Sequence, residues 1–479
     1  MLEKLYICGL NWYLSMYSRS NWEDTIVALA TPAGVGAIGV LRLSGGAAIS
    51  ICDTVFRGKK LTEQISHTIH FGRLVAQDGA VIDEVLVSLF RAPRSYTGED
   101  VVEISCHGSP YILRKAIEMF IAAGARLAQA GEFTLRAFLN GKMALSQAEA
   151  VADLITAENE TAHHTALQQL RGGFVLQIAA LREQLVHFAS LVELELDFAE
   201  EDVDFANRQE LAALVQNGRQ QIRVLLDSFR LGNVVKQGVV TVIAGRPNAG
   251  KSTLLNTLLN ENRAIVSPIA GTTRDTIEES LVIHGIQFRL IDTAGIREAA
   301  DQIEAIGIEK TWEKVRQSAV LLYVFDAAAI EAVDLRKDLD ILQTQEGRNL
   351  VVLANKVDLL TEKQLSPAIK MALGDIDCIP ISAHQSKDID TLKEHLYQLV
   401  VGDKVLKDAT MVTNARHYES LLRTEVALEA VSGGLEQRIS GELLALDIRQ
   451  ALFFLGEISG EISSDDLLAN IFSKFCIGK

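Results

Sequence analysis

The sequence has few prolines, few cysteines and no long apolar run, and each shortage argues against a class of protein. Seven prolines in 479 residues lie well below the usual share of about 5%, so a proline-rich linker is not expected. The five cysteines are scattered and include no CxxC pair, which argues against a disulfide framework or a zinc cluster and fits a reducing cytosol. No apolar run approaches the roughly 18 residues of a membrane span. We therefore predict a cytoplasmic protein with no membrane partner.

Positive charge is scarce as well. The chain carries 46 Lys and Arg against 62 Asp and Glu, a formal net charge of -16. A protein that binds nucleic acid over its whole surface is expected to be basic, so a nucleic-acid site on this chain must be local. The 48% share of hydrophobic residues excludes global disorder. At roughly 150 residues per domain, the length predicts about three domains.

The hydrophobic periodicity changes three times along the chain. Short β-rich runs and turns predict a mixed α/β domain over 22–141, and helical periodicity follows over 142–237. Strands and helices then alternate over 238–401, and helical periodicity resumes over 402–479. The pattern predicts a multidomain α/β plus α protein in which the second α/β domain is inserted into one helical domain. Residues 1–21 follow none of these patterns, and whether they are native, a targeting segment or a start-site artefact is left open.

Two helices are predicted within the first helical stretch. Apolar residues from Leu167 to Phe188 keep steps of three, four or seven, which predicts one long amphipathic helix. A second helix begins near Leu211 and closes at Gly232, because glycine commonly follows the last helical turn.

A phosphate-binding loop stands near the start of the inserted domain. GRPNAGKS lies between the strand-like run VVTVIA and the helical run TLLNTLL, which is the order of strand, GxxxxGKS loop and helix in a P-loop. Such glycines let backbone N–H groups surround phosphates, Lys251 reaches the β and γ phosphates, and Ser252 can ligate magnesium. The motif therefore predicts a nucleotide site, with a glycine turn that merely opens a helix as the alternative.

Further motifs follow in the order of a GTPase. GTTRD offers Thr273 to sense the γ-phosphate through magnesium, and DTAG brings Asp292 near the same ion. In NKVD, Asp358 can accept hydrogen bonds from guanine N1–H and its 2-amino group, a donor pair that adenine lacks. The run Ser382-Ala383-His384 can offer a backbone N–H to the guanine carbonyl. Together these motifs predict GTP as the nucleotide.

The glutamine that orients water in Ras-like GTPases is absent, because Ile296 follows DTAG. Glu298 and Glu304 are the acidic candidates for that role, and the alternative for each is a solvated helix residue. No basic residue is an obvious arginine finger. Asn248 offers an amide oxygen that can bind a monovalent cation beside the phosphates, although an asparagine that only stabilises the turn explains it equally well.

The order and wording of these motifs resemble MnmE (TrmE), a family of tRNA-modification GTPases. The likeness runs from Asp24 to Lys479 and includes YTGEDVVEISCHG, GRPNAGKS, IAGTTRD, DTAGIREA and the terminal FCIGK. The resemblance implies an N-terminal folate-binding and dimerising domain, a helical domain split by a Ras-like G domain, and a C-terminal tail. It also implies a homodimer that joins an FAD protein of the MnmG type, in a heterotetramer or larger complex, and modifies C5 of the wobble uridine of tRNA.

The resemblance implies that GTP is the substrate and that K⁺, Mg²⁺ and 5-formyl- or 5,10-methylene-tetrahydrofolate are cofactors. Glu304 corresponds to the glutamate that orients water, which favours it over Glu298. The metal ligands implied are Ser252 and Thr273 for Mg²⁺, and Asn248, Ser267, Ile269 and Thr272 for K⁺. The residues matched to GTP binding are Asn248, Ala249, Gly250, Lys251, Ser252, Thr253, Ser267, Pro268, Ile269, Ala270, Gly271, Thr272, Thr273, Asp292, Thr293, Ala294, Gly295, Asn355, Lys356, Val357, Asp358, Ser382, Ala383 and His384.

The resemblance also assigns a folate site to Arg42, Glu103, Lys142 and Lys479. A carboxylate such as Glu103 suits the amide and amino groups of a pterin ring, and a cation such as Arg42 suits the glutamate tail. Lys479 reaches this site only if the C-terminal tail folds back. On the residues alone, the alternative of a solvated strand residue is favoured for Arg42. Cys476 is left out of the catalytic set because the sequence supplies no neighbouring base.

Two other functions remain open. One is a ribosome-associated or assembly GTPase in which the nucleotide state gates a partner. The other is a stand-alone folate protein, which the intact GTPase motifs disfavour. The folate-like N-terminal segment and the FCIGK tail favour the tRNA-modifying enzyme.

Overall fold

The computed structural model describes residues 24–197, 207–260, 278–292, 319–343, 349–360, 364–402, 411–462 and 465–478. The chain divides into two units. One comprises Met1–Ile155, Gln169–Arg219 and Arg423–Lys479, and the other comprises Thr156–Gln168 and Gln220–Leu422. The domain boundaries at 22–141, 142–237, 238–401 and 402–479 stay a prediction from the sequence.

The first unit begins with a sheet in which buried and more exposed residues alternate along the longer strands. Its described strands are β1 (Ile26–Leu29), β2 (Ile38–Ser44), β3 (Phe56–Arg57), β4 (Thr68–Val75), β5 (Val81–Phe90), β6 (Val101–His107) and β7 (Arg126–Leu127). They lie in the order β3-β4-β5-β6-β2-β1-β7. Neighbours are antiparallel except for β1 and β7. The apolar residues of one face pack against helices α1 (Ala48–Val55) and α2 (Pro110–Ala122), so alternate residues point to the opposite face.

Helices follow the sheet, and they correct two sequence-based predictions. They are α3 (Glu132–Leu139), α4 (Leu145–Thr156), α5 (Glu160–Leu170), α6 (Val175–Asp197) and α7 (Arg208–Gln237). The single helix predicted through 167–188 is wrong, because Gly172 and Gly173 adopt φ angles of +106° and +41° and break it. Apolar spacing continues across the break, so periodicity alone does not reveal it.

The predicted end of the next helix at Gly232 is also wrong. Helix α7 continues to Gln237, and Gly238 follows with a φ of +74°. A Cβ atom on Gly232 would lie 2.1 Å from the carbonyl oxygen of Val412. Gly232 therefore allows a close approach of two chain segments and does not cap the helix.

The second unit contains a mostly parallel sheet. Its described strands are β8 (Val239–Ala244), β9 (Glu278–Ile283), β10 (Ile286–Asp292), β11 (Val320–Asp326), β12 (Asn349–Asn355) and β13 (Cys378–Pro380), in the order β13-β12-β11-β8-β10-β9. Only β9 and β10 pair antiparallel among them. The described helices of this region are α8 (Lys251–Asn260), α9 (Ala332–Gln343), α10 (Pro367–Leu373) and α11 (Ser386–Val401). In such sheets ligands bind at the carboxyl ends of the strands where the order reverses, which is at β8 here.

Three helices complete the described chain: α12 (Ala415–Gln437), α13 (Gly441–Ser459) and α14 (Asp465–Phe472). Helix α13 packs along α6 within the first unit. Of the helices described, none is long and apolar enough to cross a membrane. The described architecture agrees with the predicted fold class, multidomain α/β plus α.

Candidate functional site

The phosphate loop connects strand β8 to helix α8. The strand ends at Ala244, and Lys251 is the first helical residue. Gly250 has a φ of +93°, and a Cβ atom there would lie 2.2 Å from Nδ2 of Asn355, so glycine is required. The first N–H groups of a helix have no partner within it and carry the positive end of its dipole. The loop is therefore built to hold an anion such as a phosphate.

Lys251 is buried, and its ammonium group is held within the loop. Its Nζ donates hydrogen bonds of 2.9 Å to the carbonyl oxygens of Gly245 and Arg246. The next residue, Ser252, is exposed at the start of α8. Asp292 ends β10 and lies in register with Ile243 of β8. The Ser252 hydroxyl is an oxygen ligand of the kind that suits Mg²⁺.

Asn355 joins three of the predicted motifs. Its Nδ2 donates to the carbonyl oxygen of Ala249 at 2.8 Å, and its Oδ1 accepts from the backbone N–H of Ala383 at 3.0 Å. The side chain is buried, and both of its polar atoms are hydrogen-bonded, as burial requires. Thr257 strengthens the same junction, since its hydroxyl donates to the Ala383 carbonyl at 2.9 Å. The phosphate loop, NKVD and the SAH run thus form one site.

Lys356 holds the loop from a second direction. Its Nζ donates to the carbonyl oxygen of Asn248 at 2.8 Å and contacts Oδ2 of Asp326 at 2.7 Å. Asn248 has a φ of +61°. Asp358 and His384 are exposed beside this junction. The structure therefore brings together the described residues of the predicted nucleotide site.

Part of the predicted site lies outside the described residues. Of Asp292 the structure describes the backbone only. Asn248 is thus the described member of the predicted K⁺ set, and Ser252 is the described side chain of the Mg²⁺ set. The predicted residues outside the described ranges are Ser267, Pro268, Ile269, Ala270, Gly271, Thr272, Thr273, Thr293, Ala294, Gly295, Glu304 and Lys479.

Arg42 and Glu103, both predicted to bind folate, contact each other on the sheet of the first unit. They face each other across β2 and β6, and Arg42 Nε and Nη2 lie 2.9 and 2.8 Å from Oε1 of Glu103. Lys142 lies between α3 and α4, and its Nζ donates to the carbonyl oxygen of Pro93, in the loop after β5, at 3.0 Å. Because Arg42 and Glu103 are paired, the geometry favours their contacting one end of a ligand rather than its two ends.

The C-terminal tail folds back to the same place. Phe472 and Phe475 are buried in a cluster with residues of α3 and α4, and Ile477 forms a β-bridge with Ala130. The carbonyl oxygen of Gly478 then accepts a 3.4 Å hydrogen bond from Nη1 of Arg42. The tail thus reaches Arg42 at the residue that precedes Lys479, which meets the condition set by the sequence.

Two aromatic residues near Arg42 were missed in the sequence analysis. The guanidinium carbon of Arg42 lies 5.2 Å from the ring centre of Tyr96 and 5.7 Å from that of Phe133. Both distances are within the range of a cation–π contact. The Tyr96 hydroxyl bonds to Thr134 at 2.8 Å, which fixes the ring. The available signal was Tyr96, an aromatic residue in the glycine-containing segment YTGED. The contact could not be predicted because Tyr96 lies far from Arg42 in the sequence.

Comparisons with known proteins match nearly the whole chain. A family model described as "MnmE helical domain" matches residues 145–476, and one described as "GTP-binding protein TrmE N-terminus" matches residues 25–142. A Cytophaga hutchinsonii protein is 53% identical over 467 residues, covering 97% of this chain and 100% of its own. A Flavobacterium johnsoniae protein is 52% identical, covering 95% and 99%, and a Bacteroides fragilis protein is 50% identical, covering 95% and 100%. All three carry the name tRNA modification GTPase MnmE.

Proposed function

Because this chain belongs to the MnmE family of tRNA modification GTPases, we propose that its GTP hydrolysis depends on potassium and drives folate-dependent modification of C5 of the wobble uridine of tRNA. The proposed partner is an FAD protein of the MnmG type. The observation that carries the nucleotide assignment is the Asn355 side chain, which ties the phosphate loop to the guanine-recognition motifs. A cytoplasmic location stays a prediction from the cysteine pattern.

The potassium proposal rests on Asn248. Its left-handed backbone conformation is one that asparagine adopts readily, so the turn alone explains part of its presence. Its side chain is exposed, however, and makes no hydrogen bond with the described residues. The carbonyl of Asn248 is fixed by Lys356, so the side chain extends from a rigid backbone. An amide oxygen held beside the phosphates is a suitable ligand for a monovalent cation, which can replace an arginine finger.

Steady-state GTP hydrolysis in matched potassium and sodium buffers tests this proposal, with ATP as the nucleotide control. We expect turnover of GTP in potassium to exceed that in sodium by about tenfold, because fixed positive charge lowers the barrier to phosphoryl transfer. The Asn248→Ala variant should lose this preference. Glu304→Ala, which lacks the proposed water-orienting carboxylate, serves as the control that binds GTP without turning it over. Equal GTP turnover in potassium and in sodium would contradict the potassium proposal and favour the partner-gated switch.

The folate and homodimer proposals rest on the open face of the first sheet. Arg42 and Glu103 lie on this face, and Oε2 of Glu103 accepts no hydrogen bond from the described residues. That oxygen is therefore available to the amide and amino groups of a pterin. The same face continues into Ile69, Phe71 and Leu86, which are 67%, 64% and 47% exposed. Contiguous exposed apolar side chains are typical of an interaction surface, which supports a dimer interface beside the folate site.

Calorimetric titration of the full chain with 5-formyl-tetrahydrofolate tests the folate proposal. We expect Arg42→Ala to weaken binding by about tenfold, the effect of losing one charge-assisted hydrogen bond. Arg73→Ala is the matched control, because Arg73 pairs with Glu84 at 3.1 Å on the same sheet away from Glu103. Equal affinities of the two variants would contradict the assignment of Arg42.

A further inference from the structure

Arg246, within the phosphate loop, is bonded to helix α9. Its Nε and Nη2 donate to the two carboxylate oxygens of Asp338 at 2.7 and 3.1 Å. Its Nη1 donates to Oδ2 of Asp334 at 2.6 Å, and Nη2 also lies 3.4 Å from the Asp334 carbonyl oxygen. The guanidinium thus binds two carboxylates that lie four residues apart on one face of α9. No sequence motif predicted a role for either aspartate.

The acceptor side of this contact is itself held in place. The Tyr323 hydroxyl, on β11, donates to Oδ2 of Asp338 at 2.6 Å. Burial tends to raise the pKa of Asp338, but hydrogen bonds from Arg246 and Tyr323 outweigh it and hold this pKa below its ordinary value. Asp338 therefore stays charged at neutral pH. An ordinary surface ion pair contributes little, whereas a bidentate pair with a fixed acceptor gives a defined geometry.

The backbone of Arg246 connects this contact to the phosphate site. Its carbonyl oxygen is one of the two that accept hydrogen bonds from Nζ of Lys251. The other end of the loop is held by Lys356 at Asn248 and by Asn355 at Ala249. The guanidinium contact is what joins the first half of the loop to helix α9.

We infer that Arg246 is a positioning residue of the GTPase, which fixes the loop carbonyls that hold the Lys251 ammonium by anchoring the loop to Asp334 and Asp338. The inference rests on the proposed assignment of this loop to the GTP phosphates. Arg246 does not contact the nucleotide in this role. Helix α9 thereby becomes part of the machinery that sets the phosphate position, although it carries no nucleotide-binding motif.

The test compares Arg246→Ala, Asp338→Asn and Lys251→Ala with wild type in the full chain. GDP affinity, the kcat and KM of GTP hydrolysis, and the thermal unfolding midpoint are measured for each. We expect Arg246→Ala to weaken GDP binding and to lower kcat/KM by about tenfold, because small displacements of positioned groups are costly. Asp338→Asn should cause part of the same loss. Arg336→Ala is the matched control, since Arg336 lies on α9 but pairs with Asp340 at 2.7 Å, and its GDP affinity should stay within about twofold of wild type.

The combination with Lys251→Ala separates positioning from general stabilisation. If Arg246 acts through Lys251, the double variant should bind GDP no more weakly than Lys251→Ala alone, because coupled residues are not additive. Additive losses, or an Arg246→Ala variant with wild-type GDP affinity and kcat/KM, would overturn the inference. Asp338→Asn with unchanged GDP affinity would also overturn it, and this variant decides the test where Arg246→Ala does not fold. Wild-type protein that binds neither GTP nor GDP would instead refute the proposed function.

Discussion

Replacing Lys251 with alanine is expected to weaken binding of both GTP and GDP by roughly 100-fold, the upper range for losing a charge-assisted hydrogen bond. The ammonium is buried within the loop and held by two carbonyl oxygens, so its position is set before a nucleotide arrives. A pre-positioned cation interacts with phosphates in the ground state, and its loss therefore appears in affinity as well as in turnover. Equilibrium titration with a fluorescent GDP analogue measures the effect directly.

Lys370→Ala provides the matched control for this experiment. Lys370 is an exposed lysine on α10 of the same unit, and none of the hydrogen bonds that define the loop involves it. Its removal changes the net charge equally but should leave GDP affinity within about twofold of wild type. A Lys251→Ala variant that binds GDP as tightly as Lys370→Ala would show that the loop does not hold the phosphates.

Single strands and helices and the phosphate loop could be predicted from the sequence, because each depends on residues that are neighbours in the chain. The apolar, β-branched-rich run VIDEVLVSLF is strand β5, Val81–Phe90, and the GxxxxGKS motif indicates both the strand before it and the helix after it. The break between α5 and α6 was not predicted, because the helical spacing of apolar residues continues in register on both sides of its glycines. Sequence pattern predicts an element well where a single periodicity decides it.

Contacts between distant residues could not be predicted in the same way. Arg42 meets the carbonyl of Gly478, which is 436 positions away, and Arg246 meets Asp338 across 92 positions. Nothing in the neighbouring residues specifies either partner, because the pairing follows from how strands and helices are arranged. The resemblance to a family supplied Arg42, whereas Arg246 emerged only from the geometry.

A partly buried group of charges in the first unit also joins residues that are far apart in the sequence. Arg136 is 1% exposed, and its Nη2 contacts Oδ1 of Asp24 at 2.7 Å and Oε1 of Glu132 at 3.0 Å. Its Nη1 lies 3.2 Å from Oε2 of Glu99. Arg126 shares two of these partners, with contacts of 2.5 Å to Asp24 and 2.6 Å to Glu132. Three carboxylates are thus balanced by two guanidinium groups where the start of β1 meets α3.

Replacing Arg136 with methionine is expected to destabilise this region by about 3–5 kcal/mol at neutral pH, the usual cost of removing one partner from a buried ion pair. Methionine keeps the apolar stem but leaves three carboxylates with one cation. The expected destabilisation is local to one part of a multidomain chain. Hydrogen exchange of the β1 and α3 amides measures such local opening directly. Arg114→Met, on the exposed side of α2, is the matched control and should leave the same amides unchanged.

The stability difference between wild type and the Arg136→Met variant should depend on pH if it arises from charge, and should not if it arises from packing. Burial tends to raise the pKa of Asp24, but hydrogen bonds from Arg126 and Arg136 outweigh it and lower this pKa below its ordinary value. A group with a lowered folded-state pKa stabilises the fold above its unfolded pKa and loses that contribution as the pH falls towards the folded value. Wild type should therefore lose stability in this region below about pH 4. In the Arg136→Met variant, protonation relieves the uncompensated carboxylates, so the difference between the two proteins should shrink on acidification. A difference that stays constant between pH 7 and that range would mean that Arg136 stabilises the region by packing rather than by its charge.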